Sequence, residues 1–114
     1  ISERALAAGA RLGAGADGSR RRAAGSGLGW RFTDPRVLVA DGLVPFFIDW
    51  GASPHPAASA PGGVSLLALR AEHPYPAGVA SLLRALGIDL PMTKGDRAAL
   101  IAVLEGPKGT VELR

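Results

Sequence analysis

Two carboxylates stand at matching places in the chain, each in a short apolar segment that is typical of a β-strand. Asp49 lies in the segment FFIDW, and Glu112 lies in the segment GTVELR. Side chains alternate between the two faces of a strand, so each acid is expected to point away from its apolar neighbours. A carboxylate in that position can line a cavity, and it can also bind a divalent metal ion that polarises a bound molecule.

For both acids the sequence leaves a second interpretation open. Asp49 is followed by a loop, so its carboxylate could instead accept hydrogen bonds from amides of that loop. Glu112 shares a strand face with Arg114, so these two residues could form an exposed ion pair. The sequence therefore predicts either two site carboxylates or two ordinary surface acids.

Three further residues are candidates for a small-molecule site. Arg31 shares a strand face with Thr33 and could clamp an anion, because a guanidinium binds a carboxylate through two parallel hydrogen bonds. Phe47 shares the face of Asp49 and so joins the candidate cavity-lining residues. His55 lies between two prolines that would hold its ring in one place, although the same position also suits an ordinary surface-loop histidine.

Composition and missing motifs exclude several classes of function. The chain has no cysteine, so it has neither a thiolate nucleophile nor a Cys-ligated zinc site. No P-loop or dinucleotide fingerprint is present, because GAGADG follows no predicted strand and opens no predicted helix.

The charge and hydropathy patterns bear on the partners. The net charge is +3, but the basic residues are scattered apart from Arg20-Arg21-Arg22, which we interpret as a solvated loop, so no nucleic-acid partner is expected. No segment approaches the ~20 apolar residues that span a bilayer. We therefore expect no membrane association and a cytoplasmic location.

The elements that would position these residues follow from the periodicity. The segments LGWRFTD (28–34) and LVPFFIDW (43–50) alternate as strands, whereas the glycine-rich residues 13–29 suit a mobile loop or the tip of a long hairpin. Residues 52–63 contain three prolines and predict a linker. Beyond it the pattern predicts a buried strand over 64–73 with both faces apolar, a helix over 76–87, a short strand over 88–92, and strands over 98–106 and 109–114.

The two halves of the chain repeat one pattern. The segment RALAAGARL (4–12) aligns with LLRALGIDL (82–90), and each copy continues through strands to one that carries an acid. The second copy has the order β-α-β-β-β, whereas the first opens inside its helix and lacks the leading strand. We therefore predict an α+β fold with a truncated first module over 1–51, a linker over 52–63 and a second βαβββ module over 64–114, which together form one domain.

Two such units with an acid on each last strand resemble the glyoxalase-like, or vicinal oxygen chelate, superfamily. The segments GLVPFFIDWGASPHP, VSLLALRAEHPYPAGVASLLRALGIDL and AALIAVLEGPKGTVELR look like the C-terminal part of bacterial glyoxalase-like domain proteins. The resemblance implies curved mixed sheets that form a cup, with a small oxygenated organic molecule bound inside. In the metal-using members such acids bind a divalent metal cofactor, which makes Asp49 and Glu112 its candidate ligands here.

The resemblance leaves three functions open. The metal ligand expected on the first strand of the second module falls near Ser65 or Leu66, and neither is a good ligand of this type. The chain could be a metal-assisted lyase, isomerase or dioxygenase, or a non-catalytic module that binds a small molecule. It could also be a structural half-domain that needs a preceding N-terminal segment. Besides a small-molecule ligand, the expected partners are a second copy in a homodimer or that N-terminal segment.

Overall fold

The computed structural model of the chain describes residues 1–21, 23, 25 and 27–114 and has an α+β fold. Its helices span Ser2–Ala7 (α1) and Pro76–Ala85 (α2), and 3-10 turns span Ala40–Gly42 and Pro56–Ser59. The strands are Gly15–Arg21 (β1), Gly27–Thr33 (β2), Ile48–Asp49 (β3), Ser65–His73 (β4), Met92–Lys94 (β5), Ala99–Gly106 (β6) and Gly109–Leu113 (β7). None of the helices described is long and apolar enough to cross a membrane.

The first sheet has the order β1-β2-β3 and is antiparallel throughout. The prediction of a mobile loop or hairpin tip is wrong for β1, which pairs with β2 along its whole length. Glycine disfavours strands by itself, but β2 supplies the ladder and the ring of Trp30 packs over Gly18. Arg20 and Arg21 therefore lie on a strand, whereas Arg22 lies outside the described residues.

The strand predicted over residues 43–50 is much shorter than expected, since only Ile48 and Asp49 pair with β2. Pro45 has no N–H to donate to a ladder, and Val44 turns inward to form a bridge with Val39. Val44 is buried in the core at 5% exposure. The apolar residues of this segment therefore have two different roles: Val44 packs in the core, and Ile48 belongs to the part that pairs with β2.

The second sheet has the order β5-β4-β6-β7, with β5 parallel to β4 and the other pairs antiparallel. With α2 following β4, residues 65–113 have the β-α-β-β-β order that the sequence predicts. In this unit the leading strand makes the parallel pair. Because the described residues of the first half have the order α-β-β-β without a leading strand, the first sheet is purely antiparallel.

The two halves share one apolar core on the helix side. Ala5 and Leu43 from the first half pack in the same cluster as Ala71 and Leu83 from the second, and α1 contacts α2. The prediction that β4 is buried on both faces is wrong for its first five residues, which are exposed. The reason is that α2 packs on β5 and on the part of β4 near Ala71, so the beginning of β4 extends beyond the helix.

Candidate functional site

One recess brings together three of the candidate residues. Arg31, Phe47 and Asp49 all line a recess of about 480 Å³ beside β2 and β3. Arg31 on β2 is the register partner of Asp49 on β3, so their side chains lie on the same face of the sheet. This juxtaposition joins residues 18 positions apart, and it depends on strand register that the sequence pattern alone does not fix.

Arg31 stands between acids on both neighbouring strands. Its register partner on β1 is Asp17, and Arg31 Nε lies 3.2 Å from Asp17 Oδ1. Both side chains are highly exposed, at 77% and 82%. An ion pair this exposed is worth about 0–1 kcal/mol. The guanidinium can therefore exchange Asp17 for an anionic ligand at little energetic cost.

Asp49 combines the two interpretations that the sequence left open. It lines the recess, and its Oδ1 also accepts a hydrogen bond of 2.9 Å from the backbone N–H of Gly51. Gly51 has φ 52°, a left-handed conformation that glycine adopts without steric cost. The carboxylate is thereby oriented by the turn that ends β3.

Phe47 is fixed through Thr33, the neighbour of Arg31 on the same face of β2. The backbone N–H of Phe47 donates to Thr33 Oγ1, and the backbone N–H of Thr33 donates to the carbonyl of Phe47, both at 3.0 Å. Phe47 is half-buried against the core. These two bonds extend the pairing of β2 beyond the two residues of β3.

A second recess of about 500 Å³ shares Arg31 and Asp49 and is also lined by Ser53. The hydroxyl of Ser53 accepts from the backbone N–H of Gly29 at 3.0 Å and donates to the carbonyl of Gly29 at 2.9 Å. Ser53 thus takes the place of a further strand residue beside β2. Ser53 is not among the candidates predicted from the sequence, where the only signal for it is a serine in a turn-rich segment after a strand.

An ion pair follows the end of β2. Arg36 donates from its backbone N–H and its Nε to Asp34 Oδ1, and from Nη2 to Asp34 Oδ2, at 2.8–3.0 Å. The hydrogen bonds from the Arg36 side chain, and then the one from its backbone, lower the pKa of Asp34 from 3.8 to about 2. Asp34 therefore keeps its charge in mild acid.

His55 lies outside the Arg31 recess and supports an aromatic pair. Its Nδ1 accepts a hydrogen bond of 3.1 Å from the backbone N–H of Ala57, so the neutral ring carries its proton on Nε2. The ring packs edge-on against Trp50, with centroids 5.6 Å apart, and Trp50 in turn lies 5.4 Å from Trp30. The sequence predicted that the flanking prolines would hold this ring. In the structure the ring contacts the backbone N–H of Ala57 and the indole of Trp50.

Glu112 lies on β7 of the second sheet, apart from Asp49. Its Oε2 is 3.3 Å from Arg70 Nη2, and its Oε1 is 3.7 Å from Arg114 Nε. Glu72 contacts the same two arginines, at 3.3 and 3.0 Å. The ion pair with Arg114 that the sequence left open is therefore present, as part of a four-residue network.

The donor set of the described residues does not fit a divalent metal ion. Asp49 and Glu112 lie on different sheets, and Glu112 is occupied by two guanidinium groups. In the part of the chain that the structure describes, no three His, Asp or Glu side chains lie close enough together to hold a metal. The pair of acids that the resemblance suggested as metal ligands is thus not assembled into a centre.

The chain was compared with models of known protein families. Residues 2–87 match the model of the glyoxalase-like domain. This range contains the whole first sheet, all the residues that line the two recesses beside Arg31 except Ile1, and β4 with α2. No curated protein and no solved structure matches the chain.

Proposed function

The chain belongs to the glyoxalase-like domain family, and from that premise we propose that its first sheet binds a small oxygenated organic molecule. The observation that carries the proposal is the opposition of Arg31 and Asp49 on the wall of one recess. An exposed cation beside an oriented carboxylate suits a ligand with one anionic oxygen group and a neighbouring hydroxyl. Arg31 binds the anionic group, and Asp49 accepts from the hydroxyl.

The dimensions of the recess support a ligand of this kind. A volume of about 480 Å³ lies within the usual range of about 300–1,000 Å³ for small-molecule sites. Phe47 and Ile48 add apolar wall to the polar pair. A ligand of a few carbon atoms with a carboxylate and an adjacent hydroxyl would satisfy Arg31 and Asp49 and cover part of this apolar wall.

The proposal concerns binding and includes no step through a metal ion. Arg31 supplies the positive charge that would hold a substrate anion. Among the described residues, no cluster of acids and histidines could bind a metal ion that would supply this charge instead. This favours the non-catalytic binding module over the metal-assisted enzyme among the functions that the resemblance implies.

The test is a titration of the whole chain with glycolate, which carries both groups, followed by backbone amide NMR shifts; oxalate and pyruvate, which lack the hydroxyl that donates to Asp49, are the comparison ligands and should bind more weakly. We expect saturable shifts at Arg31, Thr33 and Asp49, and a loss of affinity of about tenfold or more in Arg31→Gln, which corresponds to about 1.4 kcal/mol. Arg84→Gln is the matched control, because it removes the same charge from the exposed last turn of α2. The proposal is overturned if the two variants lose affinity for glycolate equally, or if glycolate does not shift these amides.

A further inference from the structure

The two tryptophans of the chain lie close together on the face of the first sheet opposite Arg31. Leu28, Trp30 and Phe32 alternate with Gly29, Arg31 and Thr33 along β2, so they point to the other side of the sheet. Trp50 follows β3, and its ring lies 5.4 Å from that of Trp30 at an angle of 52°. Both tryptophans also line the recess of about 500 Å³ that contains Arg31 and Asp49.

Three separate contacts fix the two indole rings. The ring of Trp30 packs over Gly18, where an added Cβ would lie 2.4 Å from ring atoms. The ring of Trp50 is held by the edge of His55 at 5.6 Å. His55 is itself fixed by the backbone N–H of Ala57. The aromatic surface is therefore organised before any ligand arrives, which lowers the entropy cost of binding.

The rings form the wall of a recess of about 370 Å³. Leu28, buried at 6% exposure, and Pro56 add apolar surface. The polar groups come from Arg20 on β1 and Ser59 in the 3-10 turn Pro56–Ser59. Among the described residues Arg20 forms no ion pair, in contrast to Arg31 and Arg70.

We propose that this recess binds a planar aromatic molecule that carries an anionic group. The indole rings offer offset or edge-on packing to a flat ring, and Arg20 offers a guanidinium to its carboxylate. The volume lies near the lower limit for small-molecule sites, so one or two rings fill it. The site gives a role to the first member of the Arg20-Arg21-Arg22 run. It differs from the recesses beside Arg31 in its charged group, because Arg20 lines it and Arg31 and Asp49 do not, although both tryptophans also line the recess of about 500 Å³.

The chain has only two tryptophans, so their indole N–H signals in NMR spectra report on ligands bound beside these rings. Both rings also line the recess of about 500 Å³, so the arginine variants below decide which recess the ligand occupies. Benzoate is the probe, added to the whole chain. We expect both indole signals to shift with one saturation curve. Benzyl alcohol, which lacks the charge, and cyclohexanecarboxylate, which lacks the aromatic ring, should each bind at least about tenfold more weakly.

Two arginine variants separate the site from general charge attraction. Arg20→Gln should weaken benzoate binding about tenfold. Arg21→Gln makes the same change one position later, on the opposite face of β1, and should leave the affinity within about twofold. Equal losses in the two variants would overturn the proposal, as would indole signals that benzoate does not shift.

A third variant separates this site from the proposed function. Arg31→Gln should leave benzoate binding unchanged, because Arg31 points to the other face of β2. If Arg31→Gln abolishes benzoate binding while Arg20→Gln does not, the aromatic anion binds in the Arg31 recess and the inference fails. If glycolate, oxalate and pyruvate fail to bind but benzoate behaves as expected, the proposed function fails and this site stands.

Discussion

His73 at the end of β4 is joined to Asp41 in the first half of the chain, with His73 Nε2 3.0 Å from Asp41 Oδ2. The other ring nitrogen, Nδ1, accepts a hydrogen bond of 2.9 Å from the backbone N–H of Tyr75. The neutral ring therefore carries its proton on Nε2 and donates it to Asp41. Because His73 is buried and Asp41 lies on a turn near the surface, this bond fastens the second sheet to the first half of the chain.

Replacing Asp41 by alanine should lower the free energy of unfolding by about 1–3 kcal/mol, because it leaves the buried Nε2–H of His73 without its acceptor. Asp41→Asn is the matched control, since it keeps an oxygen acceptor and removes only the charge. Asparagine also tolerates the left-handed conformation of this residue, which has φ 54°. Urea denaturation measures both variants, and an equal loss in the two would show that the charge, not the hydrogen bond, matters.

Adding a methyl group at Gly18 should displace the ring of Trp30. A Cβ at this position would lie 2.4 Å from the indole, so the ring must move and the free energy of unfolding should fall by about 1–3 kcal/mol. Gly15→Ala on the same strand is the control, because its Cβ would meet only the carbonyl oxygen of Phe32 at 4.0 Å. Tryptophan emission should change in Gly18→Ala alone, and unchanged emission would mean that the ring does not rest on Gly18.

The elements that the sequence predicted well are those whose side-chain pattern is local. The helix α2 has apolar residues at helical spacing between Pro76 and Gly87, and β4, β6 and β7 have apolar runs that end at turn residues. The strand β1 could not be recognised in this way, because GADGSRR has little intrinsic preference for a strand. It forms because β2 offers a partner along its whole length.

In the candidate site too, the sequence predicted what depends on a local side-chain pattern and missed what depends on strand pairing. Alternation predicted that Arg31 and Thr33 share a face of β2, and that Phe47 shares a face with Asp49, but it did not set these strands in register. Register places Arg31 opposite Asp49, and a one-residue slip would have put Asp49 opposite Trp30 or Phe32 instead. Asp49 and Glu112 lie on the last strands of the two sheets, β3 and β7, as the internal repeat predicts, but the repeat does not show that Glu112 is paired with Arg70 and Arg114.

The pair of Asp34 and Arg36 predicts a specific dependence of stability on pH. The pKa of Asp34 is lowered from 3.8 to about 2 in the folded state, so its contribution is fully present above pH 3.8 and is lost as the pH falls through about 2. Asp34→Asn keeps an acceptor for the Arg36 amide but removes the charge. The difference in Tm between the two proteins should be constant from pH 7 to about 5 and should shrink towards pH 2.

Thermal unfolding followed by circular dichroism across this range provides the measurement. Both side chains are accessible to solvent, so the difference should also shrink when salt is added at neutral pH. A difference in Tm that grows as the pH falls would show that protonation of Asp34 stabilises the fold, contrary to the hydrogen bonds that Arg36 donates to the carboxylate.

The second sheet allows a direct comparison between a buried apolar residue and a charged neighbour. Ile101 on β6 is fully buried at 0% exposure, whereas Glu112 on β7 is about half exposed and paired with Arg70 and Arg114. Ile101→Ala should lower the free energy of unfolding by about 2–5 kcal/mol, because it removes buried methyl groups and leaves a cavity. Glu112→Gln should change it by about 0–1 kcal/mol, because exposed ion pairs contribute little.

Urea denaturation of the two variants measures the change in stability, and a titration of Glu112→Gln with the same ligands tests whether Glu112 also takes part in binding. If the network is only a surface contact, Glu112→Gln should also leave the binding of glycolate, oxalate and pyruvate unchanged, since Glu112 lies on the sheet that does not carry Arg31. A loss of stability above about 2 kcal/mol would mean that the carboxylate is desolvated more than its exposure indicates. A loss of ligand binding without a loss of stability would instead show that Glu112, like Asp49, is a residue of the binding site.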